Sequence, residues 1–180
     1  MSRKRFGYNF CLRILSFVNL GVMQLTIQSI SYDNPEDKRI LKACLIRWFE
    51  NPKDLNLTDP NMKFPFNFDA WIKRSYAKPG TTTFVAKDGD WIIGYISILI
   101  VRKIMKGHLF HLFVDPSHRK KGIGTSLINH AETYSGNEGV SGLSLNVAPN
   151  NDGAIRLYTS LGYEPEGKAS SGSFFYKKWI

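Results

Sequence analysis

Residues 114–125 read Val-Asp-Pro-Ser-His-Arg-Lys-Lys-Gly-Ile-Gly-Thr, and the rest of the chain is interpreted outward from this stretch. The apolar run at 109–114 predicts a strand, and the amphipathic run at 123–134 predicts a helix. A basic turn with two glycines therefore connects a strand to a helix. Because the first amides of a helix lack internal partners and the helix dipole is positive there, this turn predicts a phosphate or pyrophosphate site.

Several kinds of site contain such a turn. The chain has neither the P-loop spacing that ends in Gly-Lys-Ser/Thr nor a three-glycine dinucleotide fingerprint. A solvated charge run at the start of a helix is a further alternative. The motif Arg119-x-x-Gly122-Ile123-Gly124, preceded by Asp115-Pro116, closely resembles the acyl-CoA pyrophosphate loop of the GNAT superfamily of N-acyltransferases.

A second stretch strengthens this resemblance. Residues 151–163 follow the pattern Asn-x-x-Ala-x-x-Leu-Tyr-x-x-Leu-Gly-Tyr. This pattern is similar to the GNAT segment after the parallel strand, in which an Asn and a Tyr face the cofactor. The resemblance covers the chain from about Phe84 to the C terminus and is weaker, though compatible, from Met23.

The hydrophobic pattern gives the order of the elements. In chain order these are a strand at 24–31, a helix from Pro35 that ends at Asn51-Pro52, a long loop at 51–65, a helix at 69–76, strands at 81–87, 91–102 and 108–114, a helix at 123–134, a strand at 143–147, a helix after Asn151, and short strands near 163–164 and 174–179. A strand, a helix and a strand in succession imply a parallel crossover. The order predicts an α/β (α+β) fold with a mixed, mostly antiparallel central sheet of six to seven strands, one parallel pair and helices on both faces, which is also the GNAT order.

Composition and charge restrict the class of protein. The chain has 180 residues, of which 43% are hydrophobic and 22% charged, as expected for one globular domain. The net charge is +9, and Arg3, Lys4, Arg5 and Arg13 supply part of it before any acidic residue. A moderate excess of this kind suits a polyphosphate cofactor and does not by itself imply nucleic acid.

We expect two regions in the chain. Residues 1–22 are predicted to be a dispensable N-terminal extension, too polar for a membrane span, and residues 23–180 a GNAT-like N-acetyltransferase domain. An ordered extra strand or helix is the alternative for residues 1–22. Cys11 and Cys44 do not make a disulfide or metal framework, so the sequence predicts a reducing, cytoplasmic location.

The resemblance also implies roles for individual residues. The backbone of Leu112, Phe113 and Val114 would pair with the pantetheine arm, and the amides of 120–125 would hold the pyrophosphate. Arg119 would brace the turn or reach a phosphate, and Tyr158 would donate a proton to the leaving thiolate. The implied cofactor-binding residues are Leu112, Phe113, Val114, Arg119, Lys120, Lys121, Gly122, Ile123, Gly124, Thr125, Asn151 and Tyr158, and no metal is implied.

The sequence differs from the commonest family pattern at the positions of the general base. Several members carry a glutamate on the central strand or on the following parallel strand, where this chain has Phe110 or His111 and Asn146. His111 is the best local candidate for a catalytic base, because an unperturbed imidazole titrates near neutrality. A buried core histidine is the alternative role. Tyr158 likewise has an alternative role, as a core residue on a helix face.

The resemblance implies an enzyme that moves an acetyl group from acetyl-CoA to a primary amine of a small molecule or peptide. Two other classes stay open: a non-catalytic acyl-CoA-binding regulator and a basic nucleic-acid-binding module. The expected partners are acetyl-CoA and an amine, with no nucleic acid and no membrane. An exposed edge strand near the C terminus offers a surface for a homodimer.

Overall fold

The computed structural model describes residues 23–169 and 172–180. The predicted extension at 1–22 lies outside the described residues. The described residues form five α-helices: α1 (Pro35–Trp48), α2 (Pro52–Thr58), α3 (Phe68–Ser75), α4 (Ile123–Asn137) and α5 (Asp152–Ser160). Their seven strands are β1 (Leu25–Ile30), β2 (Thr81–Asp88), β3 (Trp91–Val101), β4 (Lys106–Val114), β5 (Gly142–Val147), β6 (Glu164–Lys168) and β7 (Phe174–Trp179). None of the helices in these ranges is long and apolar enough to cross a membrane.

All seven strands form one sheet in the order β1-β2-β3-β4-β5-β7-β6. The strands β4 and β5 run parallel, and the other neighbouring pairs within the described residues are antiparallel. The predicted mixed sheet with one parallel pair is therefore confirmed. The strand that precedes the basic turn, β4, occupies the central position.

The prediction of a long loop at 51–65 was wrong, because this stretch contains α2. The side chain of Asn51 accepts a hydrogen bond from the Lys53 amide, and Pro52 occupies the first turn. Asn-Pro therefore ends α1 and also starts α2, since proline lacks an amide hydrogen and fits the first helical position.

The strand β4 contains a bulge that separates it from β5. His111 has a left-handed backbone with φ of 53°, and the pairing of β4 with β3 shifts by one residue there. The pairing of β4 with β5 ends at Leu109 and Leu145. Beyond Leu109, β4 pairs with β3 on one side, and its other backbone edge is open toward β5. Such an edge can pair with an extended ligand.

Two hydrophobic clusters cover the sheet. One joins β2, β3 and β4 to the helices α1, α2 and α3, and the other joins six of the strands to α4 and α5. Gly94 lies at a close approach, since a Cβ there would be 2.9 Å from the Phe113 carbonyl oxygen. The first cluster includes no residue of β5, β6 or β7, so it leaves that part of the sheet face without a helix.

Candidate functional site

A cleft of about 440 Å³ lies at the C-terminal end of β4. It is bounded by β4, the basic turn, the first residues of α4 and α5, and one side of α2. The residues that line it are Asp54, Leu57, Thr58, Leu112, Phe113, Val114, His118, Arg119, Lys120, Gly122, Ile123, Gly124, Thr125, Asn151, Gly153, Ala154 and Leu157. The structure thus brings together most of the residues predicted to bind a cofactor.

The basic turn exposes backbone amides to this cleft. Lys120 and Gly122 have left-handed backbones with φ of 62° and 79°, and none of the described side chains caps α4. The first amides of α4 therefore have neither an intrahelical acceptor nor a side-chain acceptor. Together with the helix dipole and the Lys120 ammonium, they fit a phosphate group.

Asp115 fixes the start of the turn to α1. Its carboxylate accepts hydrogen bonds from Arg47 Nη2 at 2.8 Å, from Trp48 Nε1 at 2.8 Å and from the Ser117 amide at 3.0 Å. Burial alone would raise the pKa of Asp115, but hydrogen bonds from Ser117 and Trp48 outweigh it and hold the pKa at about 2. Asp115 is therefore ionised at neutral pH and holds the turn in place.

Arg119 fixes the other end of the turn to α2. Its Nε donates to the Val114 carbonyl oxygen at 3.0 Å, and its Nη2 lies 3.0 Å from Asp54 Oδ1. These two contacts connect the turn to β4 and to α2. Both charged ends of this pair line the cleft, so α2 reaches the candidate phosphate site.

The open edge of β4 runs from the bulge to the turn. Leu112, Phe113 and Val114 lie on this edge and line the cleft, and none of the described strands pairs with them on that side. Asn151 lines the opposite wall and caps α5 by accepting from the Ala154 amide at 3.2 Å. A long ligand that carries amide groups and ends in a pyrophosphate fits this combination of an unpaired strand edge and an uncapped helix.

Tyr158 belongs to the core beside this cleft. It is 7% exposed and packs edge-on against Tyr163, with 5.8 Å between the ring centroids. The hydroxyl oxygen of Tyr163 is enclosed. Burial raises the pKa of Tyr158, so its hydroxyl stays protonated well above neutral pH. The described residues that line the cleft do not include Tyr158 or Lys121.

His111 lies on the α1–α3 side of β4, outside the set of residues that line the cleft. Its Nδ1 is 3.0 Å from the Tyr76 hydroxyl, and its Nε2 is 3.6 Å from Asp59 Oδ2. Its ring stacks on Trp71, with 4.0 Å between centroids. Burial lowers the pKa of His111, although Asp59 acts in the opposite direction. The imidazole is therefore mostly neutral at pH 7.

Sequence reasoning missed the contribution of α2 and of the α5 face. Asp54, Leu57 and Thr58 line the cleft at positions i, i+3 and i+4 of α2. This helical spacing was visible once Pro52 was read as the start of a helix. Among residues 23–169 and 172–180, no group of His, Cys, Asp or Glu side chains is arranged to hold a metal ion.

Comparisons with known proteins agree with this geometry. The sequence pattern of the Acetyltransferase (GNAT) family matches residues 44–163. A mouse protein named probable N-acetyltransferase family 8 member 5 is 31% identical over 113 residues, which are 61% of this chain and 49% of that protein. The [Ribosomal protein bS18]-alanine N-acetyltransferase of Escherichia coli strain K12 is 40% identical over 101 residues, which are 51% of this chain and 68% of the relative.

A solved structure shares the fold. The PaiA N-acetyltransferase of Thermoplasma acidophilum, crystallised with coenzyme A, has a TM-score of 0.67 and 21% identity over 88% of this chain and 100% of that chain. This chain spans half the length or less of the first relatives that it matches. It covers 49% of the mouse protein and 33% of another relative. By its sequence pattern and its fold, the chain belongs to the GNAT acetyltransferase family.

Proposed function

We propose that this chain transfers an acetyl group from acetyl-CoA to a primary amine of a small molecule or peptide. The observation that carries the proposal is the cleft in which the open edge of β4 meets the uncapped N terminus of α4. The names of the mouse and Escherichia coli relatives, both N-acetyltransferases, support the same activity. We place the reaction in the cytoplasm, where a free thiol such as that of Cys44 stays reduced.

Acetyl-CoA, when bound, would supply the activated acetyl group. The backbone of Leu112, Phe113 and Val114 would pair with its amide-containing arm, and Asn151 would hydrogen-bond the arm from the other wall. The amides of residues 120–125 would hold the pyrophosphate. An amide of β4 near the bulge would stabilise negative charge on the acetyl oxygen, since a fixed donor requires no reorganisation during the reaction.

Tyr158 and His111 are the proposed proton-transfer residues. Because burial raises the pKa of Tyr158, it carries the proton that the leaving thiolate needs. Because burial lowers the pKa of His111, its neutral form can accept the proton of the attacking amine. His111 lies on the α1–α3 side of β4. We propose that the amine first approaches Phe110 and that its proton then passes to His111.

The proposed base predicts a pH dependence. The neutral imidazole is the active form, so kcat/KM, calculated on the concentration of neutral amine, is expected to fall as the pH decreases through the lowered pKa of His111, on the acid side of 6.5. His111→Gln is expected to remove this acid limb and to reduce kcat/KM by about 100-fold at pH 7. The matched control is His108→Gln, because His108 is on the same strand and burial lowers its pKa as well. An unchanged limb in His111→Gln would rule out this base.

A second function has one observation in its favour. His111 and Tyr158 are both buried and outside the set of residues that line the cleft, which suits a protein that binds acyl-CoA without turnover. Incubation with acetyl-CoA and a panel of primary amines and peptides, followed by mass spectrometry, separates the two. We expect an acetylated amine; saturable acetyl-CoA binding with no product from any amine would favour the non-catalytic binder.

A further inference from the structure

A second cavity, of about 330 Å³, lies at the other end of β4 and β5. The cofactor cleft adjoins the last residues of β4, whereas this cavity adjoins the first residues of β4 and β5 and the last residues of β7. The residues that matter for its chemistry are Lys106, Gly142, Ser144, Phe175, Lys177 and Trp179. None of these six residues has a role in the acetyl transfer proposed above.

The cavity lies on the sheet face that also carries the side chains of Asn146 and Ser144. The cleft closes where β4 and β5 begin to pair, at Leu109 and Leu145, so the reacting end of the cofactor would lie near Phe110 and Asn146. Side chains alternate along a strand, so Asn146 and Ser144 face away from Leu145, which packs with the α4 and α5 cluster. That face of β5 and β7 is the part of the sheet without a helix, and Asn146 is exposed on it.

The cavity combines positive charge with an aromatic surface. Lys106 Nζ lies 3.6 Å from the ring centroid of Trp179 and 3.2 Å from Ser141 Oγ, and no carboxylate among the described residues pairs with it. Lys177 adds a second ammonium, paired with Glu166 and 40% exposed. Trp179 is 69% exposed. A cation without an acidic partner beside an exposed indole suits a ligand that has both a carboxylate and apolar groups.

Gly142 lets two side chains of the cavity pack closely onto β5. A Cβ on Gly142 would lie 3.1 Å from Lys106 Nζ and 3.1 Å from Trp179 Cε3. The absence of a side chain therefore lets the ammonium and the indole lie directly over β5. An extended chain could then run along β5 from Asn146 to Gly142, a span of about 13 Å at the usual rise per strand residue.

We propose that this cavity binds the acidic end of the acceptor, an extended peptide-like amine with a carboxylate three to five residues from its reacting nitrogen. The proposal rests on the acetyl transfer proposed above, because that reaction fixes where the amine lies. Ser144, opposite Lys177 in the register of β5 and β7, would adjoin the third residue of the acceptor. Gly142, opposite Trp179 and beside Lys106, would adjoin the fifth.

Two amidated pentapeptides test the proposal: Ala-Ala-Glu-Ala-Glu and Ala-Ala-Gln-Ala-Gln. Acetylation is measured as kcat/KM, and binding to the CoA-loaded protein is measured separately by calorimetry. The wild type is expected to favour the acidic peptide by about fivefold in both readouts, the scale of a partly exposed ion pair. Lys106→Gln is expected to remove the preference, Lys106→Arg to keep it, and Lys38→Gln, which removes an exposed charge on α1, to leave it unchanged.

The two readouts separate this inference from the proposed function. Equal binding of the two peptides to the wild type, or an unchanged preference in Lys106→Gln, overturns the inference even if both peptides are acetylated. Preferential binding of the acidic peptide that depends on Lys106, with no acetylation of any amine, supports the cavity as an acidic-peptide site and contradicts the acetyl transfer.

Discussion

Gly122→Glu is expected to weaken the binding of acetyl-CoA by at least about 100-fold, because it opposes the phosphate site in two ways. Gly122 has φ of 79°, a conformation that side chains other than glycine adopt at a cost. No atom lies within 4 Å of a Cβ at this position, so a glutamate fits sterically. Its carboxylate would lie beside the uncapped amides and repel the pyrophosphate.

The matched control for this variant is Gly89→Glu. Gly89 lies in the turn between β2 and β3, has φ of 57° and also has no atom within 4 Å of a Cβ. The control therefore adds the same charge at a glycine with a positive φ that does not line the cleft. Calorimetric titration with acetyl-CoA is expected to show wild-type affinity for Gly89→Glu. If Gly122→Glu binds as tightly as this control, the pyrophosphate is not held at the start of α4.

Tyr158→Phe is expected to lower kcat by about 100-fold while the affinity for acetyl-CoA stays the same. The change removes only the hydroxyl that would protonate the leaving thiolate, and the ring keeps its contact with Tyr163. No hydrogen bond joins the Tyr158 hydroxyl to the described residues, so the fold should be insensitive to its loss. Burial raises the pKa of this group, so the wild-type donor does not limit the rate between pH 6 and 9.

Tyr163→Phe is the control for this prediction. It removes the hydroxyl of the neighbouring tyrosine. That hydroxyl is enclosed, and Tyr163 as a whole is 1% exposed. Single-turnover acetylation at saturating acetyl-CoA separates the chemical step from binding. Equal rates for Tyr158→Phe and Tyr163→Phe would assign Tyr158 to the core and remove it from the mechanism.

The fold could be predicted from short patterns of neighbouring residues. Asn34 is a residue type that commonly caps helices, and its side chain accepts from the amides of Glu36 and Asp37 at the start of α1. The run at 108–114 is largely apolar on both faces, a pattern typical of a strand that is covered on both sides, and β4 lies in the middle of the sheet. Such patterns depend on a few neighbouring positions, so one sequence is enough to recognise them.

The long-range contacts of the site could not be predicted in this way. Asp54 and Arg119 are 65 positions apart, and Arg47 and Asp115 are 68 apart. Each pair depends on how α1 and α2 pack on β4, which no local pattern encodes. Asp59 likewise faces His111, a residue from a distant part of the chain.

The bulge in β4 also could not be predicted from the sequence. The strand reads as a continuous apolar run, yet His111 adopts a left-handed backbone, which side chains other than glycine rarely do. The pairing with β5 ends two residues before His111, and beyond that point β4 has the open edge on which the proposed cofactor site depends. Bulges of this kind are set by tertiary context rather than by composition.

The central claim is that backbone amides of the basic turn and of the β4 edge bind acetyl-CoA. The most direct measurement is a set of amide nitrogen–proton NMR spectra recorded while acetyl-CoA is added. We expect the signals of residues 112–114 and 120–125 to shift in a saturable way, while those of the exposed strand β6 stay in place. A folded protein in which the signals of residues 120–125 do not move at saturating acetyl-CoA would contradict the account.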